Sequence, residues 1–117
     1  MPADIDGKGL RDNAGKDRWD LLPTDAVEQV VKVLTRGAEK YAERNWERGM
    51  KWSICQGSMM RHIAKSAKGE RIDPETGLPH MAHVACNALF LLTYELRGMD
   101  TLDDIEPCLR RMSKAIS

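Results

Sequence analysis

The sequence has no excess of either charge. Lys+Arg and Asp+Glu number 18 each, so the formal net charge is zero. A general binder of DNA or RNA needs a basic surplus to displace counterions from phosphates, so no nucleic-acid polymer is expected as a partner. Long apolar runs are missing too. The longest, Ala88–Leu92, falls far short of the roughly 18 residues that span a bilayer, so no membrane association is expected. The opening segment, Met-Pro-Ala-Asp-Ile-Asp-Gly, has neither a basic flank nor an apolar stretch, and no secretory signal is expected. Cysteine is scarce. Cys55, Cys86 and Cys108 are odd in number and widely spaced, which suits reduced thiols in a cytoplasm and not a disulfide framework. Aromatic content is 5%, and no stretch alternates apolar and polar residues for long, so strands are not expected.

What is present is helical periodicity, in a chain of 117 residues that is long enough for one domain. Residues 1–20 are polar and carry Gly7, Gly9 and Gly15, so they read as an arm or loop. Residues 21–117 read as one helical domain. A first helix is expected after Pro23, capped by Thr24 or Asp25, with Asp25 and Glu28 at capping-box spacing. Its inward face is Val27, Val30, Val31, Leu34, Ala38 and Tyr41. Gly37 within it marks either a close crossing or a kink. A second helix is expected from Ser53, with Gln56 as its capping partner, a stripe of Cys55, Met59, Ile63 and Ala67, and Gly69 as its C′ residue. The Gly69–Pro79 segment is a loop. A third helix is expected from about Pro79 to Leu96, with a main stripe of Met81, Ala82, Ala85, Ala88, Leu89, Leu92 and Leu96. A shorter fourth is expected near 101–115. The fold class is therefore all-α, a three- to four-helix bundle. A bundle this small gains by oligomerising, and the small residues Ala82, Ala85 and Ala88 invite close packing within the chain or between subunits.

The polar residues that could do chemistry concentrate between Gly37 and Asn87. His80 and His83, three apart on one helix, can reach a common ion or phosphate, or can be polar residues of a helix start. With His62 they are all the histidines of the chain. Cys86 completes a zinc-like His80, His83, Cys86 series, but position i+6 is turned about 120° from position i, so Cys86 reads better as core. Glu70 and Asp73, three apart on a Gly/Pro-bounded loop, can converge on a hard cation such as Mg²⁺ or can be solvated loop charge. Glu39 and Glu43, one turn apart, can hold an ion in a bundle or simply pair with neighbouring cations. Lys16, Lys40 and Arg61 are candidate phosphate clamps. Tyr41 and Trp46 can stack on a nucleobase or pack in the protein.

The blocks Gly15-Lys16, Leu21-Leu22-Pro23, Gly37-Ala38-Glu39-Lys40-Tyr41 with Asn45-Trp46, Arg61-His62, Gly69-Glu70, Asp73, Thr76-Gly77-Leu78-Pro79-His80 and Ala82-His83 resemble the phage and prophage family of dATP/dGTP diphosphohydrolases. The resemblance spans residues 15–97. That family is linked to the all-α nucleotide pyrophosphohydrolases of the MazG type. The resemblance implies a metal-dependent, oligomeric (dimeric or tetrameric) helical enzyme, phage-encoded and acting in a bacterial host. It would convert purine deoxynucleoside triphosphates to monophosphates. MazG-type enzymes carry Glu-Glu-x-x-Glu and Glu-x-x-Asp motifs. Glu70-Arg71-Ile72-Asp73 matches the second in letters but in a loop, and the first is absent, so ligands do not carry over position by position.

Under this reading Glu39, Glu70, Asp73, His80 and His83 hold Mg²⁺ or Mn²⁺, with imidazole favouring the transition ion. His62, His80 and His83 serve the chemistry as ligand, base or phosphate donor. Lys16, Lys40 and Arg61 hold phosphates, Asn45 reads a base edge or the sugar, and Tyr41 and Trp46 stack on the base. The alternatives are a nucleotide sponge that binds a signalling nucleotide without turnover, which needs the cations and aromatics but not Glu70 and Asp73, and a small helical interaction protein.

Overall fold

A computed structural model describes residues 5–105. Three helices carry the fold: α1 (Thr24–Lys40), α2 (Trp52–Ala67) and α3 (His80–Leu96). Short 3-10 turns lie at Trp19–Leu21, Asn45–Arg48 and Asp100–Leu102. The described residues contain no strand, only an isolated antiparallel bridge between Ile72 and Pro79. The all-α expectation holds. Of the expected fourth helix, Asp100–Leu102 forms a single 3-10 turn, and residues 106–115 lie outside the described residues, as does Cys108.

Helix ends explain much of the local order. α2 and α3 each close in a glycine C-cap. Gly69 at φ +101° donates its N–H to the Ser66 carbonyl, while the Glu70 N–H returns to Lys65. Gly98 at φ +67° bonds to Glu95, and the Met99 N–H returns to Tyr94. Both are the paired 5→2 and 6→1 pattern that satisfies orphan carbonyls and needs a left-handed residue. The starts differ from the capping expected from sequence. The α1 N-cap is Pro23 without a side-chain cap, and Asp25 accepts only the adjacent Ala26 N–H, so the Asp25–Glu28 box does not form. The α2 N-terminus is satisfied from afar: the Asp104 carboxylate accepts the Ser53 N–H at 2.9 Å and also the Ser53 hydroxyl. A negative charge at a helix N-terminus is favourable for both its hydrogen bonds and the dipole.

α3 lies between α1 and α2, packing on both. Its buried residues are His80, Ala82, Val84, Cys86 and Tyr94. This corrects the expected stripe: Met81, Leu89, Leu92 and Leu96 are 47–78% exposed. The inward face instead carries polar groups that find partners. Tyr94, fully buried, donates its hydroxyl to the Trp46 carbonyl at 2.6 Å. The Asn87 amide donates to Ser58 of α2 and to the His83 carbonyl. α2 is likewise rotated by about one residue from the expected stripe. Cys55 is buried and His62 is half-buried and turned inward, whereas Ile63 is 45% exposed. On α1, Val30 is buried but Val31 and Tyr41 are exposed, and a side chain at Gly37 would meet nothing within 4 Å, so no close crossing occurs there.

The α1–α2 connection is pinned onto α3. The Trp46 ring stacks on Phe90 with centroids 4.5 Å apart. Gly49, at φ +99°, leaves room for Leu102, since a Cβ there would stand 2.6 Å from it. These contacts hold one wall of a groove in place over the histidines.

Candidate functional site

The site is assembled from α2, the α2–α3 loop and the first turns of α3. The loop is held by its own hydrogen bonds. The Asp73 N–H donates to the Leu78 carbonyl at 2.8 Å, the Gly77 N–H to the Asp73 carbonyl at 2.7 Å, and the His80 N–H to Arg71 at 2.8 Å. The Asp73 carboxylate accepts the Glu75 N–H at 3.0 Å and the Thr76 hydroxyl at 3.2 Å. Such an Asx turn explains how a carboxylate on a Gly/Pro loop comes to be buried, at 5% exposure. The α2 cap fixes Glu70 at the loop's other end.

Six side chains meet there. The Nδ1 atoms of His62 and His80 are 2.9 Å apart. His80, completely buried, places Nε2 2.8 Å from the Glu70 carboxylate. The His83 ring lies parallel on His62, 4.4 Å away at 5°. Its Nε2 is 2.8 Å from the Thr76 hydroxyl and 3.4 Å from Asp73. One donor atom each from His62, Asp73 and His80 falls within 4.8 Å of the others, a set able to hold a metal ion.

Electrostatics favour neutral His62 and His83 beside a carboxylate. Burial pushes His62 below the ordinary histidine range, with His83 and His80 adding to it; burial does the same for His83 against the opposing pull of Asp73. Burial alone would raise the Asp73 carboxyl, but the Glu75 N–H, the Thr76 hydroxyl and the imidazoles outweigh it, and Asp73 lies below its usual value. With folded histidine values lowered, the unfolded chain binds more protons once pH falls below about 6.5. The histidines' contribution to stability is therefore complete above that pH and is lost as pH falls through the folded values. Metal-free protein should show a flat Tm from about pH 8 to 6.5 and a declining one toward about pH 5. His62→Gln should flatten that decline; equal slopes in the two proteins would contradict the assignment.

A groove of about 1280 Å³ opens above these residues, lined by the C-terminal half of α1, the 41–47 connection, α2 and α3. Of the residues expected to contact nucleotide, it brings together Lys40, Tyr41, Asn45, Trp46 and Arg61, with His62, Asp73 and His83 also on its wall. A shallower depression by Asp17–Pro23, about 420 Å³, carries none of the histidines. Lys40 is 3.9 Å from Glu75 and 5.3 Å from the Tyr41 ring centroid. One face of Trp46 is occupied by Phe90.

Other expected residues are placed differently. Lys16 is on the exposed arm, away from the groove. Glu39 lines the groove but is outside the three-donor set, as are Glu70 and His83. Glu70 stands behind His80, on the nitrogen facing away from His62. Cys86 is 1% exposed and burial pushes its thiol up to about 12, which fits core and not a thiolate ligand. Two participants were not singled out from sequence: Thr76, which bridges Asp73 and His83, and Asn87, which fixes the His83 backbone. The three-residue spacing of Asp73 and Thr76 was the available signal, a spacing typical of side chains that close a turn.

No helix among the described residues is long and apolar enough to cross a membrane. No solved structure matches the chain. A "dATP/dGTP diphosphohydrolase" of Salmonella phage PMBT28 is 33% identical over 108 residues, covering 92% of this chain and 35% of the phage protein. The chain thus spans about a third of that relative's length. The family model described as "dATP/dGTP diphosphohydrolase, N-terminal" matches residues 6–104, which includes every site residue above. The resemblance read from the motif blocks is thereby confirmed, and the chain belongs to the dATP/dGTP diphosphohydrolase N-terminal family.

Proposed function

We propose that this protein hydrolyses dATP and dGTP to the monophosphate and pyrophosphate with a divalent metal, as a phage-encoded enzyme in the cytoplasm of a bacterial host. One observation carries the reading: three histidines and a buried aspartate from separate segments converge beside a groove that also holds Lys40 and Arg61. The relative's name supplies the substrate class.

The donor chemistry suits a divalent ion, since His62, Asp73 and His80 offer two imidazoles and a carboxylate within 4.8 Å. Such an ion would offset triphosphate charge and acidify the attacking water. Lys40 and Arg61 line the groove as the phosphate-binding cations, and Tyr41 and Asn45 as the groups for base and sugar. His83, kept neutral near pH 7 by burial, takes a proton from water. The oxygen of that water bonds to the α-phosphorus, and pyrophosphate departs with the bridging oxygen. Glu39 and Lys16 supply peripheral charge at most.

An oligomer fits the surface. Met81, Leu89, Leu92 and Leu96 form an exposed apolar stripe along α3, with Ala85 and Ala88 beside them. A second copy covering it would bury what the monomer leaves in water.

The test is direct. Purified protein incubated with Mn²⁺ or Mg²⁺ and each common dNTP or NTP should release dAMP or dGMP together with pyrophosphate, resolved by anion-exchange chromatography. Complete recovery of every nucleotide would overturn hydrolysis, and tight retention of one of them would favour the sponge.

A further inference from the structure

We propose that the resident ion is a first-row transition metal held by Nδ1 of His62, Nδ1 of His80 and the Asp73 carboxylate, with Glu70 as the positioning residue that sets the His80 tautomer. The inference deepens the metal-dependent reading above and rests on it.

Glu70 fixes where the His80 proton sits. An ionised carboxylate only accepts hydrogen bonds, so the 2.8 Å contact requires the proton on His80 Nε2. With the proton on Nε2, the other ring nitrogen, Nδ1, is the one left to ligate, and it faces His62. Carboxylate, imidazole and ion in this order is the usual way a protein orients a ligating histidine. His80 is wholly buried, so its ring has no solvent to turn toward.

The spacing of the two nitrogens lets one ion reach both. Two metal–nitrogen bonds of about 2.1 Å place their nitrogens about 3.0 Å apart at a right angle and about 3.4 Å apart at a tetrahedral angle. At 2.9 Å the two nitrogens stand close enough to share one ion after a shift of at most about half an ångström. Without an ion the same contact is an N–H···N bond between complementary tautomers. Asp73 is ready as a third ligand: it keeps lone pairs after accepting from Glu75 and Thr76, and the turn already fixes it.

Two imidazoles with one carboxylate are a poor match for Mg²⁺, which prefers oxygen, and a good one for Mn²⁺, Fe²⁺, Co²⁺ or Zn²⁺. Among the described residues no thiolate competes, because Cys55 and Cys86 are both 1% exposed in the core. His83 stays outside the ligand set, stacked on His62 and bonded to Thr76.

Cobalt tests this without turnover. The full chain, stripped with chelator, is titrated with Co²⁺ while visible absorption and calorimetry are followed. The expected result is one Co²⁺ per chain with a ligand-field band that survives a roughly hundredfold excess of Mg²⁺. His62→Gln should abolish the band with helical circular dichroism retained. Glu70→Gln should keep the band but weaken affinity about 10–100-fold. A band unchanged in His62→Gln, affinity unchanged in Glu70→Gln, or displacement by equimolar Mg²⁺ would overturn the proposal. If Co²⁺ does not bind while Mg²⁺ supports dNTP hydrolysis, this assignment falls and the hydrolase reading stands; if no divalent ion binds, both fall.

Discussion

Asp73→Asn should lower kcat for dATP and dGTP hydrolysis by about 10²–10³-fold, a typical loss for removing one preorganised charge contact at a reacting phosphate or ion. The substitution is chosen because the turn should survive it. The asparagine carbonyl can still accept the Glu75 N–H that Asp73 accepts at 3.0 Å, and the loop's own backbone bonds from Asp73 to Leu78 and from Gly77 to Asp73 remain. What disappears is the negative charge that faces His83 at 3.4 Å and joins His62 and His80 in the three-donor set. Stability should fall by only about 1 kcal/mol, the scale of a weakened charge-assisted hydrogen bond. Steady-state kinetics alongside a denaturant melt separate the two effects. Near-normal kcat with a normal fold would remove Asp73 from the site.

The largest effect on stability should come from Tyr94→Ala, at about 3–5 kcal/mol. Tyr94 is the largest fully buried side chain, so truncation leaves a cavity that the α2–α3 interface must tolerate. Its hydroxyl is the link from α3 to the Trp46 carbonyl, and its ring lies 6.3 Å from the Trp46 ring. Burial pushes that hydroxyl up to about 12, so it stays a donor through the neutral range. Tyr94→Phe keeps the ring and strands the Trp46 carbonyl and the Met50 backbone group that meet the hydroxyl, and should cost about 1–2 kcal/mol. Against a total stability of about 5–15 kcal/mol, the alanine variant should shift the urea midpoint severely and the phenylalanine variant modestly. Similar midpoints for both would place the energy in the hydroxyl and not in packing.

The helices were legible because their ends are written in local residues. Gly69 closes α2 where glycine was expected to, Gly98 closes α3 just past its expected end at Leu96, and Pro79 stands just before the first residue of α3. The faces were less legible. Periodicity assigns the interior to the most apolar stripe, but on α3 the interior went to His80, Asn87 and Tyr94, each with a partner brought from elsewhere in the chain. A buried polar residue is recognisable only once its partner is known, and a sequence does not print partners. The same rule explains Ile63 and His62. Apolar spacing put Ile63 inside, whereas the facing imidazoles draw His62 inward. Glu70 and Asp73 look equivalent as two loop carboxylates, yet the α2 cap places one behind His80 while the Asx turn buries the other beside His83. The Asp104 contact to Ser53 bridges 51 positions and has no local signature at all.

Every histidine the chain possesses lies in one group centred on His62. Imidazole resonances in a ¹⁵N-edited spectrum would therefore arise from this cluster alone, with no background from the remainder of the molecule. The protein thus carries its own intrinsic reporter, and titrating ion, nucleotide or acid against those few signals would observe each event where it occurs, with no foreign probe attached.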